Sequence, residues 1–368
     1  MAHEYLGGFF KAKDIETSSD TMSDLTDQIE CTTEFIGRGG FGCVYKGRWV
    51  EEAAQVNAVR PLIVVKVMNL PPPIDEEQKN RQSKQIKREL DVWSKIDHKN
   101  ILSLLGIAYI KPDTNIPAFI SAWMENGNAK QFRLRNPSFP PLRMLHDIIQ
   151  GLHYLHTFEP DPIVHGDIKA VNVLINDQYE ARLCDFGLSR FLIDSTLWRT
   201  TATQAGGSLR WMSPELMTGK QCTPTKESDI YAYAMTCYEI LSGDVPFKSV
   251  RNEANLIHNV IIEKQRPEHA ESCGLDDMWD IITKCWAEEP EDRPRTAKVL
   301  ELVRKRTPPH PLLFLKESDE RPVLTKSTNR RYLSVSKILE SEDERIVEGS
   351  LIEPTSRRYL NVNKVLEN

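Results

Sequence analysis

Several things missing from this sequence narrow it before any motif is read. No stretch of about 18 apolar residues runs unbroken, so no membrane-spanning helix is expected. Cysteine is sparse: there are seven, at positions 31, 43, 184, 222, 237, 273 and 285. They form no Cys-x-x-Cys pair and their number is odd, which points to reduced thiols in a cytoplasmic, or else nuclear, protein. An excess of positive charge is also absent. Lys and Arg total 47 against 53 Asp and Glu, a formal net charge of −6. That balance argues against a generic nucleic-acid or anionic-membrane surface, which needs a basic face. The start, Met1-Ala2-His3-Glu4, lacks the charged-then-apolar pattern of a secretion signal.

What remains is an ordinary globular composition, 40% hydrophobic and 27% charged over 368 residues, long enough for two or three domains. The informative stretch is His165-Gly166-Asp167-Ile168-Lys169-Ala170-Val171-Asn172, then a short apolar strand and Asp185-Phe186-Gly187. Asp167 can accept a hydroxyl proton. Asn172 and Asp185 offer oxygen ligands of the kind that hard Mg²⁺ requires. The Asp-x-x-x-x-Asn spacing, with Asp-Phe-Gly starting 18 residues after the first Asp, resembles the signature of protein kinases.

Upstream lies Gly37-Arg38-Gly39-Gly40-Phe41-Gly42. Alone, such a run opens a dinucleotide-binding unit if a helix follows, or a plain Gly-rich hairpin if nothing else supports it. Here strand-like alternation follows from Val44 to Trp49. Strand, glycine turn, strand is the kinase arrangement, in which backbone N–H groups approach ATP phosphates without a Cβ in the way.

Next comes Leu62-Ile63-Val64-Val65-Lys66-Val67-Met68. A lysine inside an apolar strand is costly unless paired. Ile86, Leu90 and Trp93 mark one face of the following helix at i, i+4, i+7 spacing, with Glu89 beside it. The resemblance implies a Lys66–Glu89 ion pair, with Lys66 anchoring the α- and β-phosphates. The plain alternative is a solvated glutamate on a basic helix. Val64 stands where the family usually has Ala, and its extra methyls are expected to crowd the adenine pocket. In the same way Ser121 is implied as the small residue at the back of that pocket. Backbone groups of Ala122 and Met124 are implied as the adenine partners. The resemblance also implies that Gly37, Gly39, Gly42, Val44 and Val64, with Lys66, complete the nucleotide site.

Farther on, Gly207-Ser208-Leu209-Arg210-Trp211-Met212-Ser213-Pro214-Glu215 resembles the close of a kinase activation segment, and Arg293 is the family's partner for Glu215. Asp229 sits near the start of an apolar helix, where a carboxylate can accept backbone N–H bonds. In the family it props up the catalytic loop. Trp279, Ile282 and Trp286 suggest another packed helix. Gly166 stands where many regulated kinases carry an Arg that grips a phosphate on the activation segment. Control by phosphates on Thr200, Thr201 or Thr203 is therefore expected to be weak, the alternative being that another cation, such as Arg190 or Arg199, takes the place of that Arg. After Thr307-Pro308-Pro309-His310-Pro311, a helix-ending cluster, the segment Arg330–Glu340 (RRYLSVSKILE) recurs as Arg357–Glu367 (RRYLNVNKVLE). Two copies suit a duplicated tail, or a duplicated docking peptide with a basic pair, an aromatic anchor and aliphatics.

Lys169 and Gly207-Ser208 fit Ser/Thr specificity, while Arg-Trp-Met-x-Pro-Glu and Cys285-Trp286 resemble tyrosine kinases. The mixture resembles the tyrosine-kinase-like group, and the His-Gly-Asp loop and Trp-Met-Glu-Asn-Gly hinge resemble fungal members. The fold then implied is α+β and bilobal: a small antiparallel-sheet lobe with one key helix, over about 30–124, and a larger, mainly helical lobe over about 125–306. A flexible segment, 1–29, with one helix near Met22–Ile29, precedes it, and the tail, 307–368, carries the repeats. The implied activity is transfer of the γ-phosphoryl of ATP, with Mg²⁺ (or Mn²⁺), to Ser/Thr hydroxyls of protein substrates, dual specificity being left open. The implied catalytic residues are Asp167, Lys169, Lys66 and Glu89, and the metal ligands are Asn172 and Asp185. The alternative is a pseudokinase that scaffolds partners through its tail.

Overall fold

A computed structural model of the chain describes residues 23–39, 42–50, 62–68, 77, 80, 84, 86, 90–110, 117–186, 208–269 and 275–307. Glu89, Gly187, Thr200, Thr201, Thr203 and both tail repeats lie outside them. The chain divides into two units, Met1–Pro308 and Pro309–Asn368, and the sheet, the helices and the site all belong to the first.

The small lobe is one antiparallel sheet of β1 (Ile29–Gly39), β2 (Gly42–Trp49), β3 (Ile63–Met68), β4 (Leu104–Ala108) and β5 (Ala118–Ala122), in the order β1-β2-β3-β5-β4. Period-two alternation sorts its side chains. Ile63, Val65, Ala118 and Ile120 bury one face together with Ala108, Leu25 and Ile29. On the opposite side Met68, Ile107 and Phe119 pack on Ile86, Leu90 and Trp93. Residues 77, 80, 84, 86 and 90–94 are helical, so the 86-90-93 spacing does mark the face that meets the sheet.

Residues 23–29 depart from the flexible, helix-bearing lead-in expected there. Leu25 N donates to the Ile107 carbonyl at 2.8 Å, and Ile107 N donates to Ser23 O at 3.1 Å. A turn at 26–28 then feeds β1. Leu25 and Ile29 cover the apolar outer face of the sheet, and burying them outweighs the polar character of their neighbours.

The large lobe is built on α2 (Pro141–His156) and α4 (Lys226–Ser242). In α2, Met144, Leu145, Ile148, Ile149, Leu152 and Leu155 are fully buried, and Pro sits at its first turn, where no N–H is needed. Helix α4 is buried nearly all round. Thr225, not Asp229, caps it: Ser228 N donates to Thr225 Oγ1 at 3.1 Å and Thr225 N donates to Ser228 Oγ at 2.8 Å. The other helices are α1 (Ala129–Arg135), α3 (Pro214–Met217), α5 (Glu253–Ile261), α6 (Leu275–Cys285) and α7 (Thr296–Arg304). The hairpin of β6 (Val173–Ile175) and β7 (Ala181–Leu183) follows the 165–172 loop directly.

Candidate active site

One helix holds the catalytic loop. Asp229 of α4, buried, accepts from His165 N and Gly166 N at 2.8 Å each, and its Oδ2 lies 2.9 Å from His156 Nε2. Thr236 Oγ1 shares its one proton between the Ala232 carbonyl of its own helix at 2.8 Å and the Ile168 carbonyl at 3.2 Å. Glu239 Oε2 accepts from Ala170 N at 2.9 Å and from Trp211 Nε1 at 3.1 Å. Burial pushes the Glu239 carboxyl up, while those two donors and nearby lysines work against it. Positions 229, 236 and 239 lie seven and ten residues apart, close to two and three helical turns, so they share one stripe. Sequence reasoning found Asp229 and missed Thr236 and Glu239. The available signal was polar residues recurring on one stripe of an otherwise apolar helix.

So held, the loop presents Asp167. Its Oδ2 accepts from Asn172 Nδ2 at 2.7 Å and pairs with Lys169 Nζ at 2.8 Å. Lys169 also donates to Ser208 Oγ at 2.6 Å, which ties the 208–211 turn to the loop. Gly166 has φ 79°, a left-handed conformation that costs an ordinary residue but not glycine. Burial pushes the His165 imidazole down, and its Nδ1 accepts from Asp167 N at 3.3 Å.

Across the cleft, Lys66 of β3 forms an ion pair with Asp185 Oδ1. The lysine read as costly in an apolar strand is therefore matched by a carboxylate of the Asp-Phe-Gly segment. Its implied pairing with Glu89 falls outside the described residues. Asp185 has φ 61°, and Cys184 N donates to the Asn172 carbonyl at 3.0 Å, joining this segment to the loop. The Phe186 ring contacts Trp93 edge-on at 5.6 Å and His165 at 6.3 Å. The small-lobe helix is thus coupled to the catalytic loop through one aromatic.

For the metal, the atoms not needed as ligands are already committed: the Asn172 nitrogen to Asp167 and one Asp185 oxygen to Lys66. Among the described residues no cluster of three or more His, Cys, Asp or Glu forms a metal cage. An amide oxygen and a carboxylate, completed by substrate phosphates and water, suit the habit of Mg²⁺. The residues present fit that ion.

The nucleotide end is apolar. Ala122, Met124, Leu102, Leu174 and Cys184 cluster together, Ser121 is buried, and Val44 and Val64 are half-buried. Leu174 and Cys184 were not singled out from sequence, because a Leu or Cys in a short strand carries no motif. Burial pushes the Cys184 thiol well up, so it packs as an apolar group. The hinge is fixed by Trp123 N donating to the Leu62 carbonyl and Gly127 N to the Met124 carbonyl, 3.0 Å each.

The glycines divide by role. A Cβ on Gly42 would meet the Val67 carbonyl oxygen at 2.2 Å, whereas a Cβ on Gly37 would meet nothing within 4 Å. Gly39 pairs with Gly42 at the strand ends. Gly42→Ala is thus expected to lower thermal stability without nucleotide present. Gly37→Ala is expected to melt like wild type and to bind ATP more weakly. Equal ATP affinity in Gly37→Ala, measured by titration, would remove Gly37 from the nucleotide site.

A five-strand antiparallel lobe above a helical lobe, with Asp167, Lys169, Asn172, Lys66 and Asp185 converging between them, defines a protein kinase domain. Residues 31–303 match the family profile described as protein tyrosine and serine/threonine kinase, and the chain belongs to that family. It is 32% identical over 276 residues to receptor-interacting serine/threonine-protein kinase 3 of Rattus norvegicus, covering 71% of this chain and 52% of that protein. It is 31% identical to mitogen-activated protein kinase kinase kinase 7 of Drosophila melanogaster (71% of this chain, 35% of that protein). It is 28% identical to mitogen-activated protein kinase kinase kinase 11 of Homo sapiens (73% and 30%). These relatives place it with the tyrosine-kinase-like group, and the chain spans about half of their length or less.

Proposed function

We propose that this chain is an ATP-dependent protein kinase acting on Ser and Thr hydroxyls of protein substrates. The observation that carries this is the held carboxylate of Asp167, fixed by Asn172 and Lys169 on a loop that α4 clamps at four backbone groups. Asp167 orients the acceptor hydroxyl and takes its proton. Lys169, between Asp167 and Ser208, offsets charge on the transferring group. Lys66 anchors the α- and β-phosphates, and Glu89 is assigned to position it. Asn172 and Asp185 would hold Mg²⁺. When bound, that ion would neutralise charge developing on the phosphates. Backbone groups of Ala122 and Met124 would take the adenine, with Ser121 behind it, Val64 and Val44 against it and the Gly37–Gly42 turn over the phosphates.

Each position this chemistry requires keeps its residue, which favours an enzyme over a scaffold. Serine/threonine kinases among the relatives support the acceptor class. A cytoplasmic location and a docking role for the tail repeats belong to the same reading. The test is transfer from Mg-ATP to peptides matched except for Ser, Thr or Tyr at one position. Phosphate on Ser and Thr at rates well above Tyr is expected, and transfer to Tyr alone would overturn the acceptor assignment.

A further inference from the structure

The two tail repeats differ in a way that relates to this site. Over eleven aligned positions from Arg330 and Arg357, only three residues change: Ser334 to Asn361, Ser336 to Asn363 and Ile338 to Val365. The last is a one-methylene change. The arginine pair, the tyrosine, both leucines, the valine, the lysine and the glutamate are kept. Serine and asparagine are both small and polar, and both bond to local backbone. What an amide lacks is a hydroxyl that can receive a phosphoryl group. The second copy therefore keeps the recognition chemistry of the first and lacks an aliphatic hydroxyl at both serine positions, with a tyrosine phenol, Tyr332 or Tyr359, kept in each copy.

Three further observations aim the repeats at the chain's own cleft. The tail's ten Lys and Arg balance its ten Asp and Glu, so the formal charge of −6 lies in residues 1–308. Each repeat, with three cations and one acid, is net positive and is drawn to that body. Next to Asn172, whose amide holds Asp167, Val171 is 40% exposed between two buried neighbours. It is an exposed apolar residue on the loop that carries the proton acceptor, and it suits acceptor serines flanked by Leu333 and Val335. Length is no obstacle. About 27 residues separate Thr307, the last described, from Ser334. That many residues can reach at most on the order of 90 Å, and the second copy has twice that length.

We infer that the tail is both substrate and pseudosubstrate of this kinase: the first repeat accepts phosphate on Ser334 or Ser336, and the second occupies the same cleft without accepting it. This rests on the kinase reading above. In the transfer, the serine Oγ attacks the γ-phosphorus and the bond from that phosphorus to the β–γ bridging oxygen breaks. ADP leaves with the electron pair, and the hydroxyl proton passes to Asp167. Occupancy by the second repeat lowers the rate on other proteins by competition alone.

The experiment uses the full chain, Mg-ATP, a generic protein substrate (myelin basic protein) and synthetic peptides of residues 328–341 and 355–368. Phosphosite mapping of the full chain should find Ser334 or Ser336. The 328–341 peptide should be phosphorylated on Ser334 or Ser336, and the 355–368 peptide should gain no phosphate within Arg357–Glu367. The 355–368 peptide should raise the apparent KM for myelin basic protein severalfold with kcat unchanged. In the full-chain variant Asn361→Ser/Asn363→Ser, phosphate should appear on the second repeat as well. If myelin basic protein is phosphorylated while the first repeat is not and the second peptide does not compete, the inference is overturned and the kinase reading stands. If no substrate is phosphorylated, both fall.

Discussion

Asp167→Ala should lower kcat by about 10²- to 10⁴-fold, the range typical of a positioned general base, while leaving the KM for ATP and the melting temperature close to wild type. The split follows from where the carboxylate sits. In the proposed mechanism it meets the acceptor hydroxyl, not the nucleotide, so its loss is expected to fall on the chemical step, worth roughly 3 to 5 kcal/mol of barrier. Its two protein partners are not stranded. Lys169 keeps Ser208 Oγ at 2.6 Å, and the Asn172 nitrogen keeps the Asp167 backbone carbonyl at 2.8 Å. The clamps from Asp229, Thr236 and Glu239 grip backbone groups, which the substitution leaves in place. Stopped-time assays over a range of ATP concentrations measure both parameters. A variant that keeps its kcat would remove Asp167 from the mechanism, and one that loses kcat together with its melting transition would show a structural role instead.

The second large effect lies away from the chemistry. Arg293 Nη1 and Nη2 pair with Glu215 Oε1 and Oε2 at 2.7 and 2.8 Å. The same guanidinium donates to the carbonyls of Glu227, Ala287 and Glu288 and lies 5.1 Å from the Tyr231 ring centre. The arginine side chain is 0% exposed and that of Glu215 12%. Arg293→Met removes the cation and strands a carboxylate and three carbonyls, an arrangement that costs about 3–5 kcal/mol. For a domain of this size that is a fall in melting temperature on the order of 10 °C. The pH dependence carries a definite sign. Burial alone would push the Glu215 carboxyl up, and the bonds from Arg293 outweigh it, leaving the group below its ordinary value. In the wild type the pair therefore stabilises above the ordinary carboxylate range, and that stability is lost as pH falls through the lowered value. In the variant, burial is opposed only by the hydrogen bonds from the Glu215 backbone and Ser213, so Glu215 protonates more readily and the deficit should shrink between about pH 7.5 and about pH 5. Calorimetry at the two values checks this, and a deficit that grows on acidification would contradict it.

Residue chemistry explains which parts of this architecture could be read from sequence. Asp167, Asn172, Asp185 and Lys66 announced themselves because their types and spacing match the kinase family's pattern, and the structure places them around one cleft. The face made by Ile86, Leu90 and Trp93 was legible because a helix against a sheet needs that period. The Glu215–Arg293 pair came from the family resemblance, and the two are 2.7 Å apart. Less legible were groups whose role depends on what folds against them. Thr236 and Glu239 differ from ordinary helix residues only once the catalytic loop lies on their stripe. Leu174 and Cys184 gain meaning only because a two-strand hairpin brings them under Met124. Residues 23–29 looked like a polar lead-in, since two apolar side chains, Leu25 and Ile29, anchor the segment and their docking surface comes from β3, β4 and β5.

The central claim, that this site transfers phosphate from ATP, is tested most directly on the intact full chain. The purified protein and its Lys66→Met variant are each incubated with Mg-ATP and weighed by mass spectrometry. Methionine keeps the stem volume of Lys66 inside β3 and removes the ammonium that meets Asp185, so the variant is expected to fold and to lose the phosphate anchor. The account predicts stepwise mass gains of whole phosphates in the wild type, on Ser or Thr, and none in the variant. Nucleotide binding without any mass gain in the wild type, or equal gains in both proteins, would contradict it.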